Sequence, residues 1–430
     1  MEIKIPHGKS FQKFVPGDFS KITVLESQEL PSVRDEEKAI KDSLQNPIGT
    51  KRLSSIANLK DAIISIVVND ITRPSPTKLF LNTLVEELKI GGASEKNIRV
   101  VVATGCHRGN TKEELELMIG KENVERFYVE NHICNDENKL EYIGETNCGC
   151  PIVINKTVAK SDVRILTGVI VPHHSAGFSG GRKSIVPGVA GIDTLKRHHS
   201  MPIRPYNPAM GFMEENPFHK ISLEIAKKLG VNFILNVVQN SKKETIAAVA
   251  GDLEKAHKAG VDISRKNSEI KIKERAEIVV TSPGGFPRDI NLYQSQKAVS
   301  VAERVVKENG VIILVANCQE GIKKGDFLDW MLSAKNPKEI IDRFLEEGYT
   351  LTGSHKAFLF ARALVNKKII VVTENIEEDV LNKMFMERAT SLEEAISMAL
   401  EYCGSHSKIY CLPKAINLIP IIEGDSHDNN

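Results

Sequence analysis

The chain has 430 residues, which at about 150 residues per domain predicts two or three domains. Its 57 Lys and Arg residues nearly balance its 56 Asp and Glu residues, for a formal net charge of +1. No basic block occurs that would follow a phosphate backbone, so we expect neither a nucleic acid nor an anionic membrane as partner. No apolar run approaches the roughly 20 residues of a membrane helix.

The cysteine pattern indicates a reducing compartment. The seven cysteines are odd in number and mostly far apart, which is typical of free thiols in the cytoplasm rather than of a disulfide framework. Residues 1–6 lack the apolar core of a signal peptide. The only close pair, Cys148 and Cys150, has no second pair at zinc-ribbon spacing, so we interpret it as part of a turn. We predict a cytoplasmic protein.

Short apolar runs rich in Val and Ile alternate with amphipathic stretches in the first half of the chain. The apolar runs predict buried strands over residues 62–68, 99–103, 163–171 and 233–238. Helices are predicted over residues 77–89 and 110–119, the second opening with Thr111 and Glu114 in capping-box spacing. Continuous apolar strands separated by helices indicate a mostly parallel sheet covered on both faces.

A second α/β series follows the charged stretch 271–275. It contains predicted strands over residues 277–281, 311–316 and 369–373, a turn at 283–285 and a helix over 292–307. We therefore predict two α/β domains with mostly parallel sheets and the active site in the cleft between them. Residues 1–270 form the first domain, residues 271–407 form the second, and residues 408–430 form a tail that packs back on the first.

Three predicted strand ends carry unusual side chains, and functional groups of open α/β sheets gather at such ends. Asp70 and Arg73 follow the first strand and form either a surface ion pair or part of a site. His107 follows the second strand between a glycine and an arginine. An imidazole held there is either a structural histidine or a general acid or base.

The third strand end is the glycine-rich segment 172–184. Gly177, Gly180 and Gly181 allow a tight turn and a close approach of the backbone to a ligand. The spacing to Lys183 fits neither the phosphate loop of nucleotide triphosphatases nor the dinucleotide fingerprint. Lys183 is therefore an activated or covalently modified lysine, or a lysine that binds phosphate.

Two further groups of polar residues suggest a metal and an acid substrate. His198 and His199 follow a helical stretch at 192–197, and neighbouring helical side chains diverge by about 100°, so one ring binds a metal and the other does not. Gln294 and Lys297 lie three residues apart on one helix face, where a cation and an amide suit a substrate carboxylate. Spacing alone thus predicts a metal or cofactor enzyme that acts on small acids.

At these residues the chain resembles the nickel-pincer lactate racemase family over essentially its whole length. The matching motifs are Asp-x-Thr-Arg-Pro at 70–74, Gly-x-His-Arg at 105–108, His-x4-Phe-Ser-Gly-Gly-Arg-Lys at 173–183, the doublet ending at His199, and Tyr-Gln-x2-Lys at 293–297. The resemblance implies a pyridinium mononucleotide that binds nickel through a carbon and two sulfurs. Proteins that build this cofactor and insert nickel would be its partners.

The resemblance also implies a role for each residue. His107 and His173 would be acid/base catalysts on opposite sides of the substrate. The nucleotide would be joined to Lys183 as a thioamide, and His199 would complete the nickel coordination. The substrate carboxylate or hydroxyl would be bound by Arg73, Gln294 and Lys297. The cofactor site would be supported by Asp70, Arg73, Tyr293, Gly180 and Gly181.

The implied reaction interconverts D- and L-lactate through pyruvate, by hydride transfer to and from the cofactor. Two readings of the same residues stay open beside it. One is a racemase or epimerase of another 2-hydroxy acid, with Arg182 and Lys356 as additional cations for a malate-like substrate. The other is a zinc-dependent hydrolase or lyase that uses His107, His173 and His199. A binding protein without turnover is a third class. Nothing in the sequence predicts an oligomeric state.

Overall fold

Two six-stranded sheets organise the chain in a computed structural model that describes residues 2–15, 22–201 and 210–424. The strands are β1 (Ile3–His7), β2 (Ser10–Phe14), β3 (Ile22–Val24), β4 (Ile64–Asn69), β5 (Ile98–Ala103), β6 (Tyr128–Asn131), β7 (Leu140–Glu145), β8 (Pro151–Asn155), β9 (Val163–Ile170), β10 (Pro172–His173), β11 (Gly177–Phe178), β12 (Phe233–Gln239), β13 (Thr245–Gly251), β14 (Glu269–Ile272), β15 (Ala276–Thr281), β16 (Val306–Val315), β17 (Lys368–Val372), β18 (Glu387–Ala389), β19 (Ile409–Leu412) and β20 (Ile419–Ile422).

The α-helices are α1 (Glu36–Gln45), α2 (Thr77–Ile90), α3 (Lys112–Ile119), α4 (Lys121–Arg126), α5 (Lys156–Ala159), α6 (Ile192–His199), α7 (Pro217–Leu229), α8 (Lys255–Ser268), α9 (Leu292–Val305), α10 (Asp326–Ser333), α11 (Pro337–Glu347), α12 (Ser354–Leu364), α13 (Glu378–Lys383) and α14 (Leu392–Cys403). The predicted capping box is confirmed, since Thr111 and Glu114 satisfy each other's backbone amides at the start of α3.

The first sheet has the strand order β13-β12-β9-β4-β5-β6 and is parallel except for β13. Its central strands β4, β5 and β9 are buried on both faces, as their continuous apolar sequences predict. One face packs against α1 and α2, and the other packs against α6, α7 and α8. The parallel order brings the carboxyl ends of β9, β4 and β5 together at one edge.

The second sheet, β18-β17-β16-β15-β19-β3, is parallel throughout. Helices α9, α10 and α12 cover one face, while α14 and the β1–β2 hairpin cover the other. The core beneath α9 also includes Ile170, Phe178 and Val238 of the first sheet's region. The two sheets therefore share apolar contacts beside the carboxyl edge of the first. Among the described residues, no helix is long and apolar enough to cross a membrane.

The strand pairing differs from the predicted division at both chain ends. Strand β3, assigned to the first domain, pairs with β19 in the second sheet. Strand β19, assigned to the tail, lies buried between β15 and β3, because residues Ile409–Leu412 are apolar on both faces. The predicted contact of the tail with the first domain includes β20, which pairs with β14 and places Ile419 against Gly211. Residues 425–430 of the predicted tail lie outside the described residues.

Candidate functional site

The carboxyl edge of the first sheet brings together three of the predicted site segments. Asp70 follows β4, His107 follows β5, and His173 ends β10 just after β9. Because β9, β4 and β5 are neighbouring parallel strands, the loops after them leave the sheet side by side. Residues at 70–76, 104–109 and 172–184 thus form one surface, as the sequence predicts.

Asp70 and His107 form a short hydrogen-bonded pair on this surface. The Oδ2 atom of Asp70 lies 2.6 Å from Nδ1 of His107, and its Oδ1 accepts a hydrogen bond from the Thr72 hydroxyl at 2.8 Å. Burial alone would raise the pKa of Asp70. The hydrogen bonds from His107 and Thr72 outweigh burial, with nearby Arg73 adding to them, and the pKa is lowered. Asp70 is thus an anion at neutral pH, and its partner imidazole is 47% exposed.

Arg73 lies beside this pair, and its guanidinium forms hydrogen bonds with Thr72 rather than a salt bridge with Asp70. Its Nη1 atom donates to the carbonyl and the hydroxyl of Thr72, at 3.1 and 2.9 Å. The open alternative of a simple Asp70–Arg73 surface ion pair is therefore wrong, because Asp70 directs its carboxylate to His107 and Thr72. The remaining donors of the guanidinium are exposed and suit an anionic ligand.

His173 is fixed by the turn that joins β10 to β11. Its Nδ1 atom accepts hydrogen bonds from the backbone amides of Ser175 at 3.1 Å and Ala176 at 3.2 Å. The His174 ring stacks on it, with centroids 4.6 Å apart. Burial, followed by the charges of Lys183 and other nearby cations, holds the pKa of His173 well below its usual range. His173 is therefore neutral at neutral pH.

Lys183 lies within a single 3₁₀ turn, Gly181–Ser184, that follows the glycines. Its amine forms no hydrogen bond or ion pair with another described residue. Burial lowers its pKa well below the usual range, and the charges of Arg182, Arg73 and Lys297 lower it further. An amine with a depressed pKa is a better nucleophile than an ordinary lysine, which fits covalent attachment.

Arg182, predicted as an additional cation for a dicarboxylate, is instead an internal structural residue. It is 1% exposed, and its guanidinium donates to the carbonyls of Gly180 at 3.3 Å and Ala176 at 2.9 Å and contacts His257 at 3.0 Å. Burial lowers its pKa to about 9. Because these contacts hold its guanidinium within the loop, Arg182 is not available to a substrate.

Gly180 and Gly181 both have positive φ, at 78° and 53°. A Cβ atom on Gly180 would lie 2.7 Å from Ile170, and one on Gly181 would lie 2.8 Å from His257. Packing within the protein thus explains why both are glycine, whereas we predicted a close approach to a ligand. A contribution of these two residues to cofactor binding stays a prediction.

The two histidines at the end of α6 point to different surroundings, as their neighbouring positions predict. His198 is 1% exposed and its Nε2 contacts the Phe218 carbonyl at 3.1 Å and the Ser222 hydroxyl at 2.9 Å. His199 donates from Nδ1 to the carbonyl of Leu195 at 3.0 Å. The Nε2 atom of neutral His199 therefore keeps a free lone pair, which is what a metal ligand needs.

The second domain contributes the residues at the start of α9. The amine of Lys297 donates to Oε1 of Gln294 at 2.9 Å, so the two predicted substrate residues form one unit. Burial, with Arg73 and Arg288, lowers the pKa of Lys297 to about 8. Arg73, in the loop after β4, is thus within electrostatic range of Lys297. Just after α6, the Ser200 hydroxyl accepts a hydrogen bond from the Tyr349 amide of the second domain at 2.7 Å, so candidate residues of both domains lie near the junction of the two sheets.

Tyr293 belongs to a neighbouring aromatic and cationic group. Its ring lies 4.7 Å from the Lys323 amine and 5.6 Å from the Lys356 amine. Lys356 is 3% exposed and donates to Oε1 of Gln296 at 2.9 Å. Burial raises the pKa of Tyr293 to about 12, so its hydroxyl stays protonated and is able to donate to a ligand.

Sequence reasoning missed two aromatic side chains beside the predicted metal ligand. The ring of Tyr349 lies 4.8 Å from that of His199 and 5.2 Å from that of His355. The Nδ1 atom of His355 is buried and has no hydrogen-bond partner. The sequence marks this group only weakly, through the polar residues Ser354, His355 and Lys356 at the start of the mostly apolar helix α12.

The charge of the site indicates an anionic ligand. Lys183, Lys297, Lys356 and Arg182 all have lowered pKa values, and no carboxylate is paired with any of the four within the described ranges. The carboxylate of Asp70 is bound to His107. Burial is the main cause of the lowered pKa values, and repulsion from Arg73 and Lys297 adds to it at Lys183; a nucleotide phosphate and a substrate carboxylate would offset both effects. The residues present therefore fit a nucleotide cofactor that is attached at Lys183.

A metal centre built only from protein ligands has no support. Across residues 2–15, 22–201 and 210–424, no three His, Cys, Asp or Glu side chains form a group able to bind a metal ion. Catalytic zinc sites take three protein ligands, so the zinc hydrolase alternative lacks its donor set. A lone His199 instead fits a metal whose other ligands belong to a cofactor.

Comparison with known proteins agrees with this arrangement. The family model described as the lactate racemase N-terminal domain matches residues 7–211, and the lactate racemase C-terminal domain matches residues 270–420. A lactate racemase from Thermoanaerobacterium thermosaccharolyticum is 36% identical over 423 residues, which cover 97% of this chain and 98% of that protein. A lactate racemase from Lactiplantibacillus plantarum is 34% identical over 387 residues, which cover 89% and 91%.

Solved structures show the same relationship. The lactate racemase apoprotein from Thermoanaerobacterium thermosaccharolyticum has a TM-score of 0.88 and 36% identity, over 98% of this chain and 100% of that one. A protein from Thermotoga maritima has a TM-score of 0.65 at 20% identity over 93% of this chain, and shares the fold. With both family models matched in order, the chain belongs to the lactate racemase family of isomerases.

Proposed function

We propose that this enzyme interconverts D- and L-lactate. The observation that carries the proposal is the meeting, at one junction, of the Asp70–His107 pair, the neutral His173, the Lys183 amine and the cationic side chains of Arg73 and Lys297. A 2-hydroxy acid has one carboxylate for the cations and one hydroxyl for the histidines. The names of two relatives that match most of the chain support lactate as the acid.

Arg73 and the Lys297–Gln294 unit bind the substrate carboxylate and hydroxyl. They come from two domains, so a bound acid would be held between the sheets. The carboxylate offsets the repulsion that lowers the pKa of Lys297. Binding from both sides also fixes the hydroxyl near the imidazoles and retains the pyruvate intermediate, which raises the effective concentration of the reacting groups.

His107 and His173 exchange the hydroxyl proton from opposite sides of the substrate. The anionic Asp70 orients the His107 ring through Nδ1 and leaves Nε2 free to act as a base. His173 faces the cations of the site and stays neutral. A racemase must process both enantiomers, and one histidine on each side meets that need.

Lys183 and His199 would hold the cofactor that the family resemblance implies. Lys183 would form the covalent thioamide link, and His199 would offer its Nε2 lone pair to nickel. Asp70 and Tyr293 support the site. When bound, the nickel pincer nucleotide supplies a hydride acceptor for C2 of the substrate. Proteins that build the cofactor and insert nickel would have to act on this chain first. The seven free cysteines support a cytoplasmic location.

One residue, Lys356, favours a second substrate class, the malate-like acids. A malate-like acid needs another cation, and Lys356 is buried beside Gln296 without a carboxylate partner. Lactate adds only a methyl group and leaves this amine unused by the substrate. We favour lactate because the charge of Lys356 also suits the phosphate of the nucleotide.

The test compares D-lactate, malate and gluconate as substrates of the nickel-loaded enzyme, made in cells that build the cofactor. We expect racemisation of D-lactate at the highest kcat/KM and a covalent mass increase on the intact chain. A large preference for malate or gluconate would keep the mechanism and overturn the substrate. An unmodified chain that racemises lactate would contradict the tethered cofactor.

A further inference from the structure

The two proposed acid/base histidines differ in the hydrogen-bond partner of Nδ1, which is an acceptor for one ring and a pair of donors for the other. Nδ1 of His107 meets a carboxylate, whereas Nδ1 of His173 meets two backbone amides. We propose that the two rings rest in opposite tautomers, so that His107 is the resting base and His173 the resting hydrogen-bond donor. The consequence for lactate rests on the proposed function, while the tautomers themselves do not.

The tautomer of His107 follows from its partner. An ionised carboxylate only accepts hydrogen bonds, so the 2.6 Å contact with Asp70 requires a proton on Nδ1 of His107. In the neutral ring Nε2 then carries the lone pair. Because the side chain is 47% exposed, that lone pair is accessible to a substrate hydroxyl. Transfer of a proton to Nε2 creates an imidazolium whose charge Asp70 balances.

The tautomer of His173 follows from the turn that holds it. Backbone amides only donate, so the contacts from Ser175 and Ala176 require a lone pair on Nδ1 and place the proton of the neutral ring on Nε2. Side-chain hydrogen bonds to its carbonyls also hold the turn. Asn216 donates to the Ser175 carbonyl at 2.8 Å, and Arg182 donates to the Ala176 carbonyl at 2.9 Å. Because the Ser175 carbonyl and the Ala176 amide belong to the same peptide unit, the bond from Asn216 holds the Ala176 amide in its orientation.

The enantiomers of a bound hydroxy acid consequently meet different groups in the first step. A hydroxyl that faces His107 loses its proton directly: the O–H bond breaks and an N–H bond forms at Nε2. A hydroxyl that faces His173 meets an N–H group, which binds its oxygen as a donor and takes no proton. For His173 to become a base, its proton must move to Nδ1, and both amide contacts must first be given up.

This asymmetry has a defined kinetic signature. The equilibrium constant of racemisation is one, so kcat/KM must be equal in the two directions whatever the histidines do. A difference between the two enantiomers therefore appears in the rate of the first half-turnover, or in kcat and KM when each is measured separately. We expect the single-turnover rates of keto-acid formation from the two enantiomers on the nickel-loaded enzyme to differ by about tenfold or more, within the usual range of acid/base contributions.

The decisive measurement needs no cofactor. Long-range ¹H–¹⁵N correlation spectra of the apoprotein report which ring nitrogen carries the proton, and the His107→Gln and His173→Gln variants assign the two sets of signals. We expect a protonated Nδ1 for His107 and a protonated Nε2 for His173. The same tautomer at both rings would overturn the proposal.

A matched variant tests the cause. Asp70→Asn replaces an acceptor-only group by an amide that also donates, so we expect the His107 signals to shift toward the other tautomer while those of His173 stay unchanged. Unchanged His107 signals would contradict the assignment. Opposite tautomers in a nickel-loaded protein with no turnover of lactate would overturn the proposed substrate and support the assignment, whereas equal single-turnover rates would overturn the asymmetry alone.

Discussion

The carboxylate of Asp70 and the imidazole of His107 meet at 2.6 Å although the two residues lie 37 positions apart. Each follows one of two neighbouring parallel strands, β4 and β5, so the sheet itself brings them together. The Asp70 side chain is 3% exposed. A buried carboxylate with two hydrogen-bond donors contributes to the stability of the fold.

The first prediction concerns the pH dependence of stability. The folded-state pKa of Asp70 lies below its ordinary value of 3.8, so its contribution to stability is complete above about pH 4 and is lost as the pH falls through the folded pKa. Asp70→Asn should therefore lower Tm at pH 6 and lower it less as the pH approaches 3. Thermal unfolding of both proteins across this range measures the effect. A Tm difference that does not change with pH would contradict it.

The second prediction distinguishes the metal-binding role proposed for His199 from the structural role of His198. His199→Ala should abolish nickel binding and leave Tm nearly unchanged. His198→Ala should lower stability by about 1 to 3 kcal/mol, because the Phe218 carbonyl and Ser222 hydroxyl would lose a buried partner. Metal analysis and thermal unfolding of the two variants distinguish the roles. Loss of nickel in His198→Ala with retention in His199→Ala would reverse our assignment.

The third prediction concerns the covalent attachment. Lys183→Ala should remove both the mass adduct and all racemase activity, because Lys183 is the buried amine within the turn that directly follows the glycines. The matched control is Lys78→Ala, which removes an exposed lysine paired with Glu122. The control should keep the adduct and the activity. An adduct of the same mass on Lys183→Ala would place the attachment elsewhere.

The fourth prediction uses the lowered pKa of Lys297. Burial moves its folded-state pKa from 10.5 to about 8, so the folded protein binds fewer protons than the unfolded chain between these values. Stability of the apoprotein should therefore rise with pH across that interval. Lys297→Met should reduce this slope, and Lys338→Met, at an exposed position, should leave it unchanged.

The same cation also predicts an anion effect. Phosphate or pyruvate at pH 7 should raise the Tm of the apoprotein, because an anion relieves the repulsion among Lys297, Lys183 and Arg73. The increase should be smaller in Lys297→Met than in Lys338→Met. Equal increases in the two variants would show that Lys297 does not contact the anion.

Much of the fold could be predicted because buried strands carry their own signal. The apolar runs at 62–68, 99–103, 163–171 and 233–238 correspond to β4, β5, β9 and β12, with ends within two residues. The placement of β3 and β19 could not be predicted in this way. They lie near opposite ends of the chain, and nothing in a local sequence pattern encodes so distant a partner.

The amino-acid sequence alone indicated most of the candidate site residues, because motifs at strand ends name the chemical groups and the parallel sheet collects them. The tertiary structure decided what each group is free to do. It showed that His199 keeps an open Nε2 while His198 is held by Phe218 and Ser222. It showed that Arg182 supports the loop. These outcomes depend on contacts between distant segments, since a ring nitrogen's proton is set by the partner it meets and not by its position in the sequence.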